Sequence, residues 1–555
     1  WYLNCVAQSY AYLFDSRFRR ERNPYDPQFR GACDLYNSSL ESCLRIAQKE
    51  GTFRPGSTLQ VSTCNHTLEV SIAARGFQWN AEDFDSFEFV SDYDVEGLQN
   101  RYRTFGLGVP LIAIRKNGSA APDVERYYAR GLSFPVTAFL RLQPRELNET
   151  NSPPDARHLK AELELYDPLE LTDVQVAGRT VPLESDLSTP LAFFLNDPNI
   201  QKLDTFGLLR PDKVQKIAGL YMVQPYQPGK IPVLMVHGLW SSPMTWMEAL
   251  NDLRSDPVLR EKYQFWFYLY PTGKPFWNSA ADLREDLRVV HQTFAARDPG
   301  HRMNDMVLVG HSMGGLISRL ITYESGDQYW NSVSRTPLAQ VNAAPEVKQE
   351  IQRVFFFHPD PSVSRVITIA SPHRGSEYAN SFTRWLGRQL ISIPKMTVNT
   401  TKQLLELNPG AFRLDESDVV TTSLDSLSPN SRILQTMIQT PQSPNVKYHN
   451  VVGITKTDVP LEENTDGIVK YASAHLTDVE SEIVVEADHS QAHRHPATIR
   501  EIRRILLKHL EETHRQRFPV MPAHHQTSAT VSRTAITRQT AEFQPPPFAP
   551  PPAPA

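Results

Sequence analysis

The sequence contains few cysteines. Only 4 of its 555 residues are Cys, and all of them lie within the first 64 positions. Cys33 and Cys43 lie on one predicted helix about 15 Å apart, which is too far for a disulfide between them. A disulfide between Cys5 and Cys64 and a set of reduced thiols packed in the core both remain open. The cysteines therefore do not define the redox compartment.

The sequence also lacks a long hydrophobic run and a strong net charge. A membrane-spanning helix needs roughly 20 apolar residues, and no such stretch occurs. The formal charge of -5 gives no bulk field that would attract nucleic acid, so we expect no nucleic-acid partner. The first residue is Trp1, and we expect a start methionine and any leader to lie outside this numbering.

The composition and the pattern along the chain predict several folded segments. The chain is 40% hydrophobic and 21% charged, which is typical of a folded protein of about two or three domains. Residues 1–57 read as a helical N-terminal segment, and residues 58–190 as a mostly antiparallel, β-rich accessory domain. A linker covers 191–214. Strands alternate with helices over 215–515, which predicts an α/β layered domain with a mostly parallel central sheet. A proline-rich disordered tail covers 516–555.

One strand of the β-rich segment shows the expected alternation clearly. The sequence "HLKAELELY" alternates apolar and polar residues, as does a strand with one face in the core. The pattern turns Leu159, Ala161, Leu163 and Leu165 inward, and it turns Lys160, Glu162 and Glu164 outward.

The stretch "MVLVGHSMGGLISR" predicts a nucleophilic serine. An apolar strand ends at Gly310, and a helix begins near Met313. The "GHSMG" block is a G-x-S-x-G nucleophile elbow, which raises the hydroxyl of Ser312 above the sheet at the positive end of a helix. Gly314 and Gly315 allow the tight turn and the close packing of helix on strand.

The segment "VLMVHGLW" predicts an oxyanion loop. A strand runs into His237 and Gly238 about 75 residues before the elbow, which suits a loop whose backbone N–H stabilises a developing negative oxygen. We expect the backbone N–H groups of Leu239 and Met313 to be the two donors.

The acid and the base follow in the order Ser, Asp, His that hydrolases with this elbow use. Asp466 lies in "TDGIV", and His489 lies in "ADHS" after the strand-like "EIVVEAD". His489 would accept the serine proton, and Asp466 would fix the imidazole tautomer. The rivals are His493 and His495 for the base, and Asp458 and Asp478 for the acid.

These motifs together resemble those of a known group of proteins. The blocks "HGLW", "GHSMGGLISR", "ITIASPHRGS", "TDGIV" and "ADHS" resemble the lipase branch of the α/β-hydrolase superfamily, including bacterial triacylglycerol lipases and GPI-inositol deacylase-like hydrolases. The resemblance covers roughly residues 215–510. It implies an eight-stranded, mostly parallel sheet and ester hydrolysis through an acyl-serine by Ser312, Asp466 and His489. It implies nothing about residues 1–190.

The sequence departs from that group at Gln491 and in a lengthened polar segment between Arg319 and Ser364, and it suggests how substrate reaches the site. Bacterial lipases often bind calcium through an Asp where this chain has Gln491, so we expect no such metal and no cofactor. The insertion at about 376–445 contains an apolar face that suits a lid over the serine or a helix packed on the sheet. That face comprises Phe382, Trp385, Leu386, Leu390 and Ile393. The predicted substrate-binding residues are His237, Trp240, Phe276, Trp277 and Trp385. Of these, Phe276 and Trp277 are expected in the loop after "YLYPTGK", because an Asn/Ser cap at positions 278 and 279 predicts that the next helix begins after them.

The leading functional hypothesis is a serine hydrolase that cleaves carboxylic esters, with acyl lipids as substrates. The alternatives are an acyltransferase or thioesterase with the same triad, and a non-catalytic envelope binding or scaffold protein on a hydrolase fold. The expected partners are an ester or lipid substrate and a membrane or lipid interface. We expect an exported, envelope-associated or extracellular location. N-glycosylation sequons of the form Asn-x-Ser/Thr occur at Asn37, Asn65, Asn117, Asn148 and Asn399.

Overall fold

A computed structural model describes residues 1–14, 26–55, 57–62, 67–142, 158–197, 217–298, 300–376, 403–413 and 426–517. The chain divides into two compact units, Trp1–Lys508 and His509–Ala555. The second unit is described as far as residue 517, and that part is α-helical. Within the ranges given, every helix is too short or too polar to cross a membrane.

Strands are numbered in chain order. The first ten lie in the N-terminal part of the chain: β1 Leu59–Ser62, β2 Thr67–Arg75, β3 Phe84–Phe89, β4 Arg103–Thr104, β5 Val109–Arg115, β6 Ser133–Leu142, β7 His158–Tyr166, β8 Asp173–Val176, β9 Arg179–Pro182 and β10 Ser185–Asp186. The remaining seven form the second large sheet: β11 Gly219–Met222, β12 Ile231–Val236, β13 Tyr263–Leu269, β14 Met306–His311, β15 Val363–Ile369, β16 Lys447–Ile454 and β17 Ser481–Glu486.

The α-helices are named by their ranges. They are Tyr2–Phe14, Pro27–Lys49, Pro122–Glu125, Thr189–Leu195, Met247–Ser255, Pro257–Lys262, Phe276–Phe294, Met313–Leu320, Gln328–Val333, Pro345–Phe355, Arg432–Gln439, Tyr471–Ala474 and Pro496–Arg517.

The N-terminal part combines two helices, Tyr2–Phe14 and Pro27–Lys49, with a six-stranded sheet. The strand order is β1-β2-β7-β6-β5-β3, and every neighbouring pair is antiparallel except β2 and β7. The predicted mostly antiparallel arrangement is therefore confirmed. Two short ribbons, β4 with β10 and β8 with β9, complete this part.

Tyr36 connects the second helix to this sheet. Its hydroxyl donates to the carbonyl of Leu140 at 2.7 Å and accepts from the N–H of Leu140 at 2.9 Å. In β6, the pairing with β5 stops at Ala138, so the Tyr36 hydroxyl satisfies backbone groups that a neighbouring strand would otherwise have bonded.

The alternation predicted for β7 holds for its apolar residues and fails at Glu164. Ala161, Leu163 and Leu165 are buried as expected, but Glu164 is only 4% exposed. Its carboxylate accepts hydrogen bonds from Arg141 at 3.0 Å and from the hydroxyl of Tyr166 at 2.8 Å. A buried carboxylate is tolerated when such partners replace water. The side chains of residues 159 and 160 lie outside the description.

The second sheet has the order β11-β13-β12-β14-β15-β16-β17. Only β11 is antiparallel to its neighbour, and all other pairs are parallel. Every residue of β12, β13 and β14 is buried, because helices cover both faces of such a sheet. The mostly parallel α/β sheet is confirmed. The described residues provide seven of its strands, where the resemblance implied eight.

Strand β12 lies at the point where the strand order reverses. The chain passes from β12 to β13 on one side and then returns to β14 on the other. In open α/β sheets, the crevice outside the carboxyl ends of two such strands is the usual ligand site. The loops after β12 and β14 are the predicted oxyanion loop and nucleophile elbow.

The N-terminal sheet and the parallel sheet belong to the same compact unit. The N–H of Met222 in edge strand β11 donates to the carbonyl of Tyr127 at 2.8 Å. The rings of Tyr127 and Phe294 lie 5.6 Å apart, and Lys230 forms an ion pair with Glu170 at 2.7 Å. The domain boundaries given above stay a prediction. The lid face, most of the linker and almost all of the tail lie outside the described residues.

Candidate active site

Ser312 occupies a strained turn between β14 and the helix Met313–Leu320. Its backbone has φ 53° and ψ −121°, a conformation that costs roughly 1–3 kcal/mol and that occurs mainly at functional sites. A Cβ at Gly314 would lie 2.2 Å from the carbonyl oxygen of Val236, and a Cβ at Gly315 would lie 1.9 Å from Ser371 Oγ. Glycine is therefore required at both positions for the helix to approach the strands.

His489 lies in the loop after β17, at the same edge of the sheet as Ser312. Its Nε2 atom is 2.9 Å from Ser312 Oγ. The side chain of His489 is 16% exposed, so part of the imidazole is accessible to solvent. This is the geometry in which an imidazole can accept the hydroxyl proton.

Asp466 lies in the loop after β16 and orients His489. Its Oδ2 accepts a hydrogen bond from His489 Nδ1 at 2.7 Å. Its Oδ1 accepts from the N–H groups of Ile468 and Val469 at 2.9 and 2.7 Å, so both carboxylate oxygens are fixed. The N–H of His489 also donates to the carbonyl of Asp466 at 2.9 Å. The two loops are thereby joined through backbone as well as side chain.

The rival residues occupy other environments. His493 is buried and has Thr245 Oγ1 as the partner of its Nε2. Burial lowers the pKa of His493 to about 3. His495 accepts the N–H of Ala497 at the start of the last helix, as a capping residue would. Asp458 and Asp478 are exposed.

The predicted oxyanion loop lies against the elbow. A Cβ at Gly238 would be 3.0 Å from Ser312 Cβ, so the backbone of the residue before Leu239 contacts the nucleophile directly. Trp240 has a φ of 55°, which is uncommon for a large side chain and indicates a second strained position in this loop. Met313 begins the helix that follows Ser312, so its N–H is among the unpaired donors of the helix start.

His237 supports this loop from inside the fold. Its side chain is fully buried, and its Nδ1 bonds the carbonyl of Gly238 at 2.9 Å. The ring stacks on Tyr270 at 4.4 Å, and the Tyr270 hydroxyl donates to the His237 carbonyl at 2.7 Å. Burial lowers the pKa of His237 to about 4. The substrate-binding role predicted for His237 stays a prediction.

The other predicted substrate-binding residues differ in how far they are exposed. We expected Phe276 and Trp277 in a loop, but they form the first turn of the helix Phe276–Phe294. That helix begins directly after Pro275 and has no side-chain cap. The start predicted from Asn278 and Ser279 is therefore too late in the sequence. Phe276 has no exposed surface, and Trp277 is 9% exposed. Trp240 is half-buried. Trp385 lies outside the described residues.

The "SPHRGS" block positions the loop that contains the acid. Ser376 Oγ donates to the carbonyl of Ile468 at 2.6 Å, two residues after Asp466. Arg374 Nη1 donates to the carbonyl of His475 at 2.6 Å, and Ser473 Oγ donates to the carbonyl of Gly375 at 2.6 Å. The sequence marked this block only through the resemblance, because its contacts are long-range.

Two further histidines, His311 and His493, lie beside the site. The rings of His311 and His489 have centroids 5.1 Å apart, and those of His311 and His493 are 4.5 Å apart. His311 Nε2 lies 2.9 Å from the carbonyl oxygen of His489. Burial holds the pKa of His311 well below its usual range, and the neighbouring His493 and His489 lower it further.

The described residues include no group of three or more His, Cys, Asp or Glu side chains placed to bind a metal ion. Gln491, where a calcium-binding Asp occurs in bacterial lipases, is exposed. The thiols of Cys5, Cys33 and Cys43 are free, and Cys64 lies outside the description.

Comparison with solved structures finds bacterial hydrolases at low identity. The mature form of the lipase BlEst2 from Bacillus licheniformis is 20% identical, covers 52% of this chain and 97% of its own, and has a TM-score of 0.31. Lipase 1 from Pelosinus fermentans is 13% identical and covers 50% and 98%, with a TM-score of 0.31. Esterase B from Lactobacillus rhamnosis is 14% identical and covers 54% and 82%, with a TM-score of 0.28.

No curated protein matches the chain. The alpha/beta hydrolase family matches residues 233–502, which is just under half of the sequence and runs from β12 into the last helix. Together with the mostly parallel sheet and the strand–turn–helix at Ser312, this match shows that residues 233–502 have an α/β-hydrolase fold.

Proposed function

We propose that this chain is a serine hydrolase that cleaves carboxylic esters through an acyl-serine intermediate. The observation that supports it best is the pair of consecutive hydrogen bonds from Ser312 Oγ to His489 Nε2 at 2.9 Å and from His489 Nδ1 to Asp466 at 2.7 Å. A hydroxyl, an imidazole and a buried carboxylate in this order form the usual device for activating a serine.

In the first half of the proposed reaction, Ser312 Oγ attacks the ester carbonyl carbon while its proton passes to His489 Nε2. The carbonyl oxygen becomes an oxyanion, which the N–H groups of Leu239 and Met313 would stabilise. Loss of one such donor typically costs about 3 kcal/mol of transition-state stabilisation. The intermediate then expels the alkoxide, which takes the proton from His489 and leaves as the alcohol.

In the second half, a water molecule attacks the acyl-serine carbonyl and gives its proton to His489. The second tetrahedral intermediate releases the carboxylic acid, and Ser312 Oγ recovers its proton. Asp466 stays ionised throughout. It keeps the proton of neutral His489 on Nδ1, so that Nε2 faces the serine, and it stabilises the imidazolium.

We propose acyl lipids as the substrate class. Apolar groups flank the triad in the described residues, since Leu239 is half-buried in the oxyanion loop and Ile468, two residues after Asp466, is 37% exposed. These two side chains offer apolar contacts to an acyl chain. The resemblance of the site motifs to those of lipases points in the same direction.

Hydrolysis of chromogenic p-nitrophenyl esters tests this proposal. We expect the full chain to hydrolyse the butyrate and longer esters with higher kcat/KM than the acetate, and S312A to retain no measurable turnover. The matched control is S332A, which removes a hydroxyl that bonds the carbonyl of Tyr329 and should leave turnover unchanged. Equal turnover in S312A and the unmodified chain would rule out the proposed nucleophile. A preference for the acetate would rule out acyl lipids.

A further inference from the structure

Two buried histidines lie beside the triad and take no part in the proton transfers proposed above. His311 is 5% exposed and His493 is 2% exposed. Their rings lie side by side with centroids 4.5 Å apart. Burying polar rings is unfavourable unless they form hydrogen bonds, so the partners of these rings indicate what they do.

His311 contacts the loop that contains the base and the predicted oxyanion loop. Its Nε2 lies 2.9 Å from the carbonyl oxygen of His489, and because a carbonyl can only accept, Nε2 must be the protonated nitrogen. Its Nδ1 faces the other loop, since a Cβ at Gly238 would come within 3.0 Å of it. One ring therefore bonds the loop that bears His489 and packs against the backbone of Gly238, where its Nδ1 has no hydrogen-bond partner among the described residues.

His493 forms a second link between the same parts of the chain. It lies four residues after His489, and its Nε2 forms a 2.5 Å hydrogen bond with Thr245 Oγ1. Thr245 belongs to the turn Pro243–Trp246, which directly continues the predicted oxyanion loop. The ring of Trp246 meets His493 edge to face at 5.5 Å and limits its movement.

We propose that His311 and His493 are positioning residues that fix the loop bearing His489 against the loop bearing Leu239. This inference rests on the proposed function. The two loops follow β17 and β12, which β14, β15 and β16 separate in the sheet, so the sheet alone does not set the distance between base and oxyanion donor. An error of about 1 Å in such a constellation can cost roughly 100-fold in rate.

The electrostatics of the two rings agree with this role. Burial lowers the pKa of both, to about 3 for His493 and well below the usual range for His311. Both rings are therefore neutral near pH 7. Neutral neighbours do not oppose the positive charge that His489 acquires during each proton transfer, whereas a charged one would. The side chains that connect the two loops beside His489 must therefore be polar but uncharged.

Substitutions that remove or retain the donor at position 311 test the proposal. With p-nitrophenyl butyrate and the full chain, we expect H311F to reduce kcat by about 10- to 100-fold with KM changed less than about twofold. An aromatic ring of similar size remains, but the His489 carbonyl loses its donor. H311Q can place an amide N–H near the position of Nε2, and it should recover most of the lost kcat.

The pair T245V and T245S tests the second link in the same way. T245V removes the hydroxyl that bonds His493 and should reduce kcat several-fold, and T245S should restore most of that loss. T293V serves as a matched control, because it removes a partly buried hydroxyl whose partners are the carbonyl of Val289 and the hydroxyl of Tyr127, groups that belong to neither loop of the site. Its kcat should equal that of the unmodified chain.

Several results would overturn the inference. They are an unchanged kcat in both H311F and T245V, a loss confined to KM, and an H311Q variant as slow as H311F although it melts at the same temperature as the unmodified chain. If H311F does not fold, the pair T245V and T245S decides. Labelling of the unmodified chain by a fluorophosphonate separates the two proposals. If the chain labels and the variants match it in kcat, only the positioning role fails. If the chain does not label, the proposed function fails, and this inference fails with it.

Discussion

The Nε2 atom of His489 lies 2.9 Å from the hydroxyl oxygen of Ser312, although 177 positions separate the two residues in the sequence. They meet because β14 and β17 are parallel members of one sheet, so the loops after their carboxyl ends lie at the same edge. Asp466 joins them from the loop after β16. The proposed chemistry depends on this meeting of three loops.

Removing any of the three triad side chains should abolish turnover without unfolding the protein. D466N keeps the size of the side chain but reverses the preferred imidazole tautomer, and we expect kcat to fall by about 10³- to 10⁴-fold. H489A should lose at least as much. Kinetics with p-nitrophenyl butyrate measure this, and circular dichroism checks the fold. The control is H495A, since that residue only caps the last helix. An active H489A variant would show that the base is misassigned.

Gly314 should be irreplaceable for steric reasons. A Cβ there would lie 2.2 Å from the carbonyl oxygen of Val236 and 2.5 Å from that of His237, so G314A must push the helix away from the end of β12. We expect a loss of about 3 kcal/mol or more in the free energy of unfolding. G31A is the matched control, because Gly31 lies in the helix Pro27–Lys49 with nothing near its Cβ position. Ala in that helix should stabilise by about 0.5–1 kcal/mol. Urea unfolding of both variants measures the difference, and a G314A variant as stable as the unmodified chain would contradict the close packing.

Stability should fall on mild acidification. Burial lowers the pKa of His237 and His449 to about 4 and that of His493 to about 3, whereas unfolded histidine titrates near about 6.5. Between these values the unfolded chain binds more protons than the folded chain, so stability drops as pH falls below about 6.5. Each histidine contributes a slope of about 1.4 kcal/mol per pH unit. Burial raises the pKa of Asp167 to about 7 and that of Asp286 to about 6, and it also raises the pKa of Glu184 and Glu248. These four carboxyl groups act in the opposite direction, but six histidines have a pKa that burial lowers.

Urea unfolding at pH 7.5, 6.0 and 5.0 measures this slope. We expect the free energy of unfolding to decrease by several kcal/mol over that range. A free energy that is constant, or that increases toward pH 5.0, would mean that these histidines are not held neutral in the folded chain.

The N-terminal 190 residues should be needed for the hydrolase part to fold. Arg254 is buried and donates to the carbonyl of Leu187 at 2.6 Å, and burial lowers its pKa to about 10. Deletion of residues 1–190 would remove the backbone partner of Arg254. It would leave this buried side chain and the edge strand β11 uncovered. We expect residues 191–555 alone to aggregate or to bind ANS. A soluble fragment with the activity and melting temperature of the full chain would show instead that the two parts are independent domains.

The sequence predicted the site largely because its signals are local. The elbow is a short block at a strand end, and the order Ser, Asp, His follows from the chain path of such folds. His311 and His493 gave no comparable signal. Their role depends on contacts between loops more than 170 residues apart, and no spacing rule encodes such contacts.

Two mistaken expectations have clear physical causes. Glu164 was placed on a solvent-facing side by alternation, but Arg141 and Tyr166 bond its carboxylate inside the fold. Phe276 and Trp277 were placed in a loop because Asn278 and Ser279 resemble a helix cap, whereas the helix starts directly after Pro275. The lid, the substrate class, the domain boundaries and the exported location stay predictions.

The most direct test of the account is to locate the adduct of a fluorophosphonate on the full chain by peptide mass spectrometry. The account predicts one phosphonyl group per chain, attached to Ser312, and no adduct in S312A or after acid unfolding. Two results would contradict the central claim. One is a folded chain that forms no adduct, and the other is an adduct on another residue that forms in both the unmodified chain and S312A.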